Sequence, residues 1–162
     1  YSFYSTKTLT VGEGGMLVSN DEELFSFAKK WRNYGKPNYD VVGSNGRMNE
    51  VTAAFGVVQM QRAPQIIKFK RDLASKYDQI FTNKVDLPEG MISGYYKYIV
   101  FKTNVNQETG YVYNDPCHKI MNYDIKLPNT DWVSQNHVCP PIWYGWQNAD
   151  SSVSEIKELL LG

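Results

Sequence analysis

Apolar and polar residues follow two different rhythms along this chain, and the change of rhythm marks out its elements. Thr8-Leu9-Thr10-Val11 and Met16-Leu17-Val18-Ser19 are short β-branched or apolar runs on either side of Gly12-Glu13-Gly14-Gly15. This predicts two extended stretches joined by a tight hairpin, because adjacent glycines allow positive φ and close backbone approach. The period then lengthens. Leu24, Phe27, Ala28 and Trp31 recur at helical spacing, with Asn20 as a cap, Asp21, Glu22 and Glu23 in the first turn, and Gly35 as the stop; one buried helical face is expected. Residues 33–48 show no period. They form a loop longer than ordinary connections, and such loops in compact proteins are often functional.

Asn49 caps a second, long helical region in which Val51, Ala54, Phe55, Val58 and Arg62 track one stripe. Pro64 either kinks that helix or starts another in its first turn. Ile66, Ile67, Leu73, Tyr77, Ile80 and Phe81 carry the apolar face onward to about residue 82. Asp86 to Gly90 reads as a turn and Tyr95 to Phe101 as the clearest strand; residues 115–123, 129–136 and 154–161 read as helices. Helices mixed with short strands give an α/β or α+β fold.

Composition narrows the class. The 162 residues suffice for one ordinary domain, and 42% hydrophobic with 21% charged is globular rather than disordered. Seventeen basic residues balance seventeen acidic ones, which leaves no basic footprint for nucleic acid and no polybasic membrane anchor. No apolar run approaches the roughly 20 residues of a membrane helix. Two cysteines and no leader pattern make a reducing cytoplasm the default expectation. The chain opens on Tyr1-Ser2-Phe3-Tyr4 without an initiator Met, so a C-terminal piece of a larger protein is expected.

Candidate chemistry gathers in Ser2-Phe3-Tyr4-Ser5-Thr6-Lys7 and in Gly43-Ser44-Asn45-Gly46-Arg47-Met48. Lys7 lies where a hydroxyl-rich stretch meets an apolar strand. Desolvation there would favour a neutral amine, which can form a Schiff base with an aldehyde cofactor. The hydroxyls of Ser2, Ser5 and Thr6 can bond a phosphate. On the residues alone, a solvated lysine is the commoner state of such a segment. Cys117-His118 and His137-Val138-Cys139 supply zinc-binding side chains, but adjacent Cys-His is awkward geometry and the two-residue spacers of zinc knuckles are missing. Buried thiols and ordinary histidines are the expectation, with no metal site. Cys139-Pro140-Pro141-Ile142-Trp143-Tyr144 is either a rigid aromatic loop near a substrate entrance or a packed surface loop, and Lys68, Lys70 and Arg71 read as a solvated helix face.

Taken together, the Ser-aromatic-x-x-x-Lys segment, Gly12 to Val18, Asn20 to Leu24, Trp31-Arg32-Asn33-Tyr34-Gly35 and Gly43 to Met48 resemble the lysine region of the DegT/StrS sugar aminotransferases. Those enzymes resemble the aspartate aminotransferase type of pyridoxal-phosphate (PLP) enzymes. The resemblance lapses over residues 36–42 and covers roughly the first eighty residues well. It implies an α/β fold: the C-terminal part of a PLP-transferase, with residues 1–50 the remnant of the PLP-binding large domain. Residues 51–162 would then be the linking helix and an α+β small domain. By the same resemblance Lys7 holds PLP as a Schiff base and shuttles a proton. Ser2 bonds the cofactor phosphate, and Asn45 reaches that phosphate from the neighbouring subunit of a homodimer.

The implied activity of the full-length enzyme is transfer of an amino group from an amino acid, glutamate being expected, to a keto-sugar nucleotide. Some relatives carry histidine in place of this lysine and act as sugar dehydratases; Lys7 favours transamination. Gly46 stands where the family often has tyrosine, and Thr52 where it often has glutamine. The family's aspartate for the pyridine nitrogen, its ring-stacking residue and its phosphate-binding helix would all lie upstream of Tyr1. The chain alone is therefore expected to bind PLP weakly and turn over little. The alternative from another class is a non-catalytic binding or dimerisation domain that keeps the fold.

Overall fold

The computed structural model describes residues 1–108 and 115–162. The chain divides into two compact units, Tyr1–Ala63 and Pro64–Gly162. Helix α1, Glu22–Trp31, lies in the first unit. Helix α2, Glu50–Tyr77, begins there and carries on into the second. The second unit continues with β1 (Val100–Phe101), α3 (Cys117–Ile120), α4 (Pro128–Asn136), β2 (His137–Val138) and α5 (Val153–Leu161).

In the first unit the glycine cluster does not make the expected hairpin. The chain start folds between the two flanks of the cluster instead: Ser2 bridges Gly15 antiparallel and Tyr4 bridges Gly12 in parallel. Phe3 N–H donates to Gly14 O and Val11 N–H to Phe3 O. The glycines are required by the closeness of this arrangement. Gly12 takes φ +90°, and a Cβ on Gly15 would stand 3.0 Å from Tyr1 O.

Helix α1 is capped by Asp21, whose carboxylate accepts from Leu24 N–H, rather than by Asn20. It ends as predicted, with Gly35 at φ +76° and its N–H on Lys30 O. Its apolar stripe exists but is not covered: no residue of α1 is buried. The first part of α2 behaves likewise, with Val51 68% and Phe55 63% exposed. The expected buried face is therefore not completed within this unit: Leu24, Phe27 and Trp31 stay 44%, 50% and 45% exposed.

The second unit has the core. Leu73, Ala74, Tyr77 and Phe81 from α2 and the residues after it pack with Tyr98, Val100, Ile142, Trp146, Ile156 and Leu160. Tyr77 meets Phe81 and Tyr98 edge-on, with centroids 5.9 and 5.1 Å apart, and its hydroxyl donates to Pro141 O. Pro64 sits inside α2, which runs through it. A proline has no N–H to donate to the carbonyl four residues back.

The expected strand from Tyr95 is cut to two residues. Tyr95 has φ +46°, which an extended strand cannot contain. Val100 and Phe101 pair antiparallel with Val138 and His137. Helix α5 has a full capping box: Ser152 accepts from Glu155 N–H, and the Glu155 carboxylate accepts from Ser152 N–H. Among the described residues no helix is long and apolar enough to cross a membrane.

Candidate functional site

Lys7 follows a tight turn in which its own N–H donates to Tyr4 O at 2.9 Å. Its side chain is half-buried. Ser2 stands at the other end of the same short segment, where its Oγ accepts from Tyr4 N–H at 3.3 Å. That bond uses the oxygen and leaves the hydroxyl proton to donate. Ser2 and Lys7 thus lie at the two ends of one six-residue stretch of defined backbone.

Asn45 is placed elsewhere in the unit, on the loop that closes over the end of α1. Asn33 and Asn45 form an antiparallel bridge. Ser44 N–H donates to Trp31 O at 2.7 Å, Tyr34 N–H to Ser44 O at 3.1 Å and Gly46 N–H to Arg32 O at 2.9 Å. Glycine is needed at position 43, where a Cβ would fall 2.4 Å from Gly35 N and 2.6 Å from Trp31 O. The Asn45 Oδ1 accepts from Arg47 N–H and Nε–H, at 3.4 and 3.1 Å. Asn45 itself is exposed, and its amide carries N–H donors besides that oxygen.

Two hollows of different character can be described in this unit. One, of about 580 Å³, is apolar, with Phe3, Leu9, Val11, Met48, Val57 and Met60 in its wall and no charged side chain. A phosphate would find no cation there. The other, of about 560 Å³, is lined by Ser26, Lys29, Lys30, Arg32, Asn33, Lys36, Pro37 and Arg47. Lys30 Nζ pairs with Asp40 at 2.6 Å and holds that carboxyl below the usual carboxylate range.

A primary amine, a hydroxyl with its proton unspent and an exposed amide are a donor set suited to an aldehyde carrying a phosphate. Lys7, Ser2 and Asn45 therefore fit PLP chemically.

The sequence profile of the DegT/DnrJ/EryC1/StrS aminotransferase family matches residues 1–94, more than half of the chain. The chain belongs to this family. Its relatives include GDP-perosamine synthase of Vibrio cholerae, 42% identical over 82 residues, covering 48% of this chain and 22% of the synthase. The dTDP-4-dehydro-2,3,6-trideoxy-D-glucose 4-aminotransferase of Saccharopolyspora spinosa is 29% identical and covers 88% of this chain and 46% of the relative. Among solved structures, a DegT DnrJ EryC1 StrS aminotransferase from Brucella abortus superposes with a TM-score of 0.78 at 20% identity, over 98% of this chain and 48% of that one. The match thus spans about a fifth of the first-named relative and about half of the solved family structure. The mixed helix-and-strand architecture agrees with the expected C-terminal portion of the PLP-transferase fold.

In the second unit several expectations are corrected or refined. Lys70 is not part of a solvated face: it is 4% exposed and donates to Tyr95 O at 3.2 Å. Burial, helped by the nearby Lys97 charge, pushes its pKa down to about 8. Sequence spacing could have revealed this, since Ile66, Lys70, Leu73 and Tyr77 lie on one helical face.

Cys139 to Ile142 are buried, so this stretch is core rather than surface loop. His118 Nε2 lies 3.2 Å from Asp131 Oδ1, and Lys119 Nζ lies 2.9 Å from the same oxygen. Lys119, above all, holds the Asp131 carboxyl below its usual range. Cys117, His118, His137 and Cys139 line one cavity of about 490 Å³. Among the described residues no three His, Cys, Asp or Glu side chains are grouped to hold an ion.

Proposed function

We propose that this chain is the lysine-bearing part of a PLP-dependent enzyme that transfers an amino group, glutamate being the donor, to a keto-sugar nucleotide in the cytoplasm. The supporting observation is the turn that fixes a half-buried Lys7 five positions after Ser2, whose Oγ accepts from Tyr4 N–H and keeps its proton to donate. Membership of an aminotransferase family and relatives that bear the names of nucleotide-sugar enzymes support the same reading. In this proposal residues 1–50 are the remnant of the cofactor-binding domain, and residues 51–162 are the linking helix and small domain.

PLP supplies, when bound, the electron sink that makes bond-breaking at an amino acid's α-carbon accessible. The chain's own residues then have distinct tasks. Lys7 Nζ would hold the aldehyde covalently and, once the donor's amine has displaced it, would carry away the proton that leaves the donor's α-carbon. Ser2 Oγ donates to the phosphate and keeps the ring from pivoting about its anchor. Asn45 Nδ2 donates to the phosphate of a second subunit's site, which makes the enzyme a homodimer with shared sites. The uncovered apolar stripes of α1 and the first part of α2 support this, because water-facing apolar surface of that extent marks a face made for burial.

The test is to incubate the purified chain with PLP, alone and together with the N-terminal half of the Vibrio cholerae synthase, then reduce with borohydride and map the pyridoxyl group. The expected result is labelling at Lys7 in preference to the other lysines, stronger with the added half and absent in Lys7→Ala. Sedimentation of the same mixtures should show a dimer at micromolar concentration. Label spread evenly over surface lysines, with or without the added half, would refute the lysine's role and favour a non-catalytic domain.

A further inference from the structure

The cavity of about 490 Å³ in the second unit takes no part in the chemistry above. Cys117 lines it from the first residue of α3, Cys139 from just after β2, and Lys97 from the segment before β1; Ile99 and Val133 add apolar wall. The chain has two cysteines, and both line this one cavity. Among the described residues they are not grouped with the neighbouring histidines to hold an ion, which leaves the chemistry of the thiols themselves.

The two thiols differ in the way that a stepwise exchange needs. Cys117 is exposed, whereas Cys139 is 5% exposed. A dissolved reagent meets the first and is kept from the second. Burial raises the Cys139 pKa; the Lys97 charge works against that shift and the Glu108 charge adds to it. Cys139 is thus held as a thiol, and Lys97 is the cation that favours its thiolate when the proton leaves.

The element that carries Cys117 is also slight. Helix α3 is one turn of four residues, and its cap residue, Pro116, makes no side-chain hydrogen bond to it. A disulfide allows Cα atoms up to about 7 Å apart. Reaching that distance displaces one short turn rather than a long helix, and so costs few backbone bonds.

We propose that Cys117 and Cys139 form a thiol–disulfide exchange site whose substrate is a low-molecular-weight disulfide of the glutathione type. The Cys117 thiolate attacks one sulfur of that disulfide; a mixed S–S bond forms, the reagent's S–S bond breaks and one thiolate departs. Cys139 Sγ then attacks Cys117 Sγ, expels the second thiolate and closes a bond between α3 and the end of β2. Two protein thiols are oxidised, one disulfide is reduced to two thiols, and the two cysteine protons end on the thiols released. This chemistry needs neither Lys7 nor PLP.

The experiment incubates the full chain with oxidised glutathione, quenches with acid and follows the intact mass. The parent is expected to lose two hydrogens per chain, reversibly with dithiothreitol, and to carry a glutathione adduct only in passing. Cys139→Ser should accumulate that adduct, mapped to Cys117. Cys117→Ser should react at Cys139 at least about tenfold more slowly than the parent reacts at Cys117. Lys97→Gln should form the adduct at the parent's rate and convert it to the internal bond about threefold more slowly.

Circular dichroism like the parent's checks that the variants fold, and the parent's own mass decides the site without them. No mass change in the parent, an adduct that persists there unconverted, or a disulfide between two chains would overturn the pairing of the two cysteines. Faster reaction at Cys139 than at Cys117 would overturn the order of attack, and conversion at the parent's rate in Lys97→Gln would remove that lysine from the site.

Discussion

Lys70 offers a test of how far its surroundings exclude water. The amine is nearly inaccessible, and its pKa falls from the ordinary 10.5 to about 8, chiefly by desolvation. Between those two values the unfolded chain holds a proton at Lys70 that the folded chain has released. The unfolded state then binds more protons, so stability must rise with pH across the interval. With these pKa values the gain between pH 7 and pH 9.5 is about 2 kcal/mol.

The upper limit of the window matters, because burial raises the pKa of both the Tyr77 and Tyr98 hydroxyls. Above about pH 10 the unfolded chain loses tyrosine protons that the folded chain keeps, and stability falls again. The assay is urea unfolding followed by tryptophan fluorescence at several pH values, for the parent and for Lys70→Met. Subtracting the two pH profiles cancels every other titrating group. The parent should gain about 2 kcal/mol over the variant across the window. Parallel profiles would refute the desolvation argument, since they would mean that water solvates Lys70 in the folded state.

Two further outcomes follow from burial and close approach. Leu73→Ala should cost about 2–5 kcal/mol, because Leu73 is 1% exposed in the core. Phe55→Ala, on the same helix, should cost less than about 0.5 kcal/mol in the lone chain; equal losses in urea midpoints would show that the first part of α2 is covered after all. Gly43→Ala forces a methyl group against the backbone of Gly35 and Trp31. Amide exchange at Tyr34, Ser44 and Gly46 should then accelerate about tenfold or more, and unchanged protection would show that the loop absorbs the methyl group freely.

Local signals were easiest to read where the physics is local. The Asn49 cap and the Gly35 stop are decided within one turn, by backbone groups that need a partner close by. The segments holding Lys7, Ser2 and Asn45 could be picked out because short motifs carry them. Pairing was harder to read. The alternation on both sides of Gly12 to Gly15 suggests a hairpin, but the competing partner was the chain's own start. Which of two strands wins depends on packing that no window of residues contains. The buried Lys70 was missed because charge was weighed before helical position.

The order of residues alone determined which segments are helical, which side chains share a stripe, and that an amine, a hydroxyl and an amide stand in a family's motif. Those are properties of backbone periodicity and of chemistry carried within a few residues. The tertiary structure decided which stripes are covered. One helix, α2, carries apolar residues along its whole length, yet only its later part meets a core. It also gathered five cations from a helix end, a loop and a returning segment into one hollow. Burial and convergence depend on what lies opposite in space, and the chain's own neighbours in sequence do not specify that.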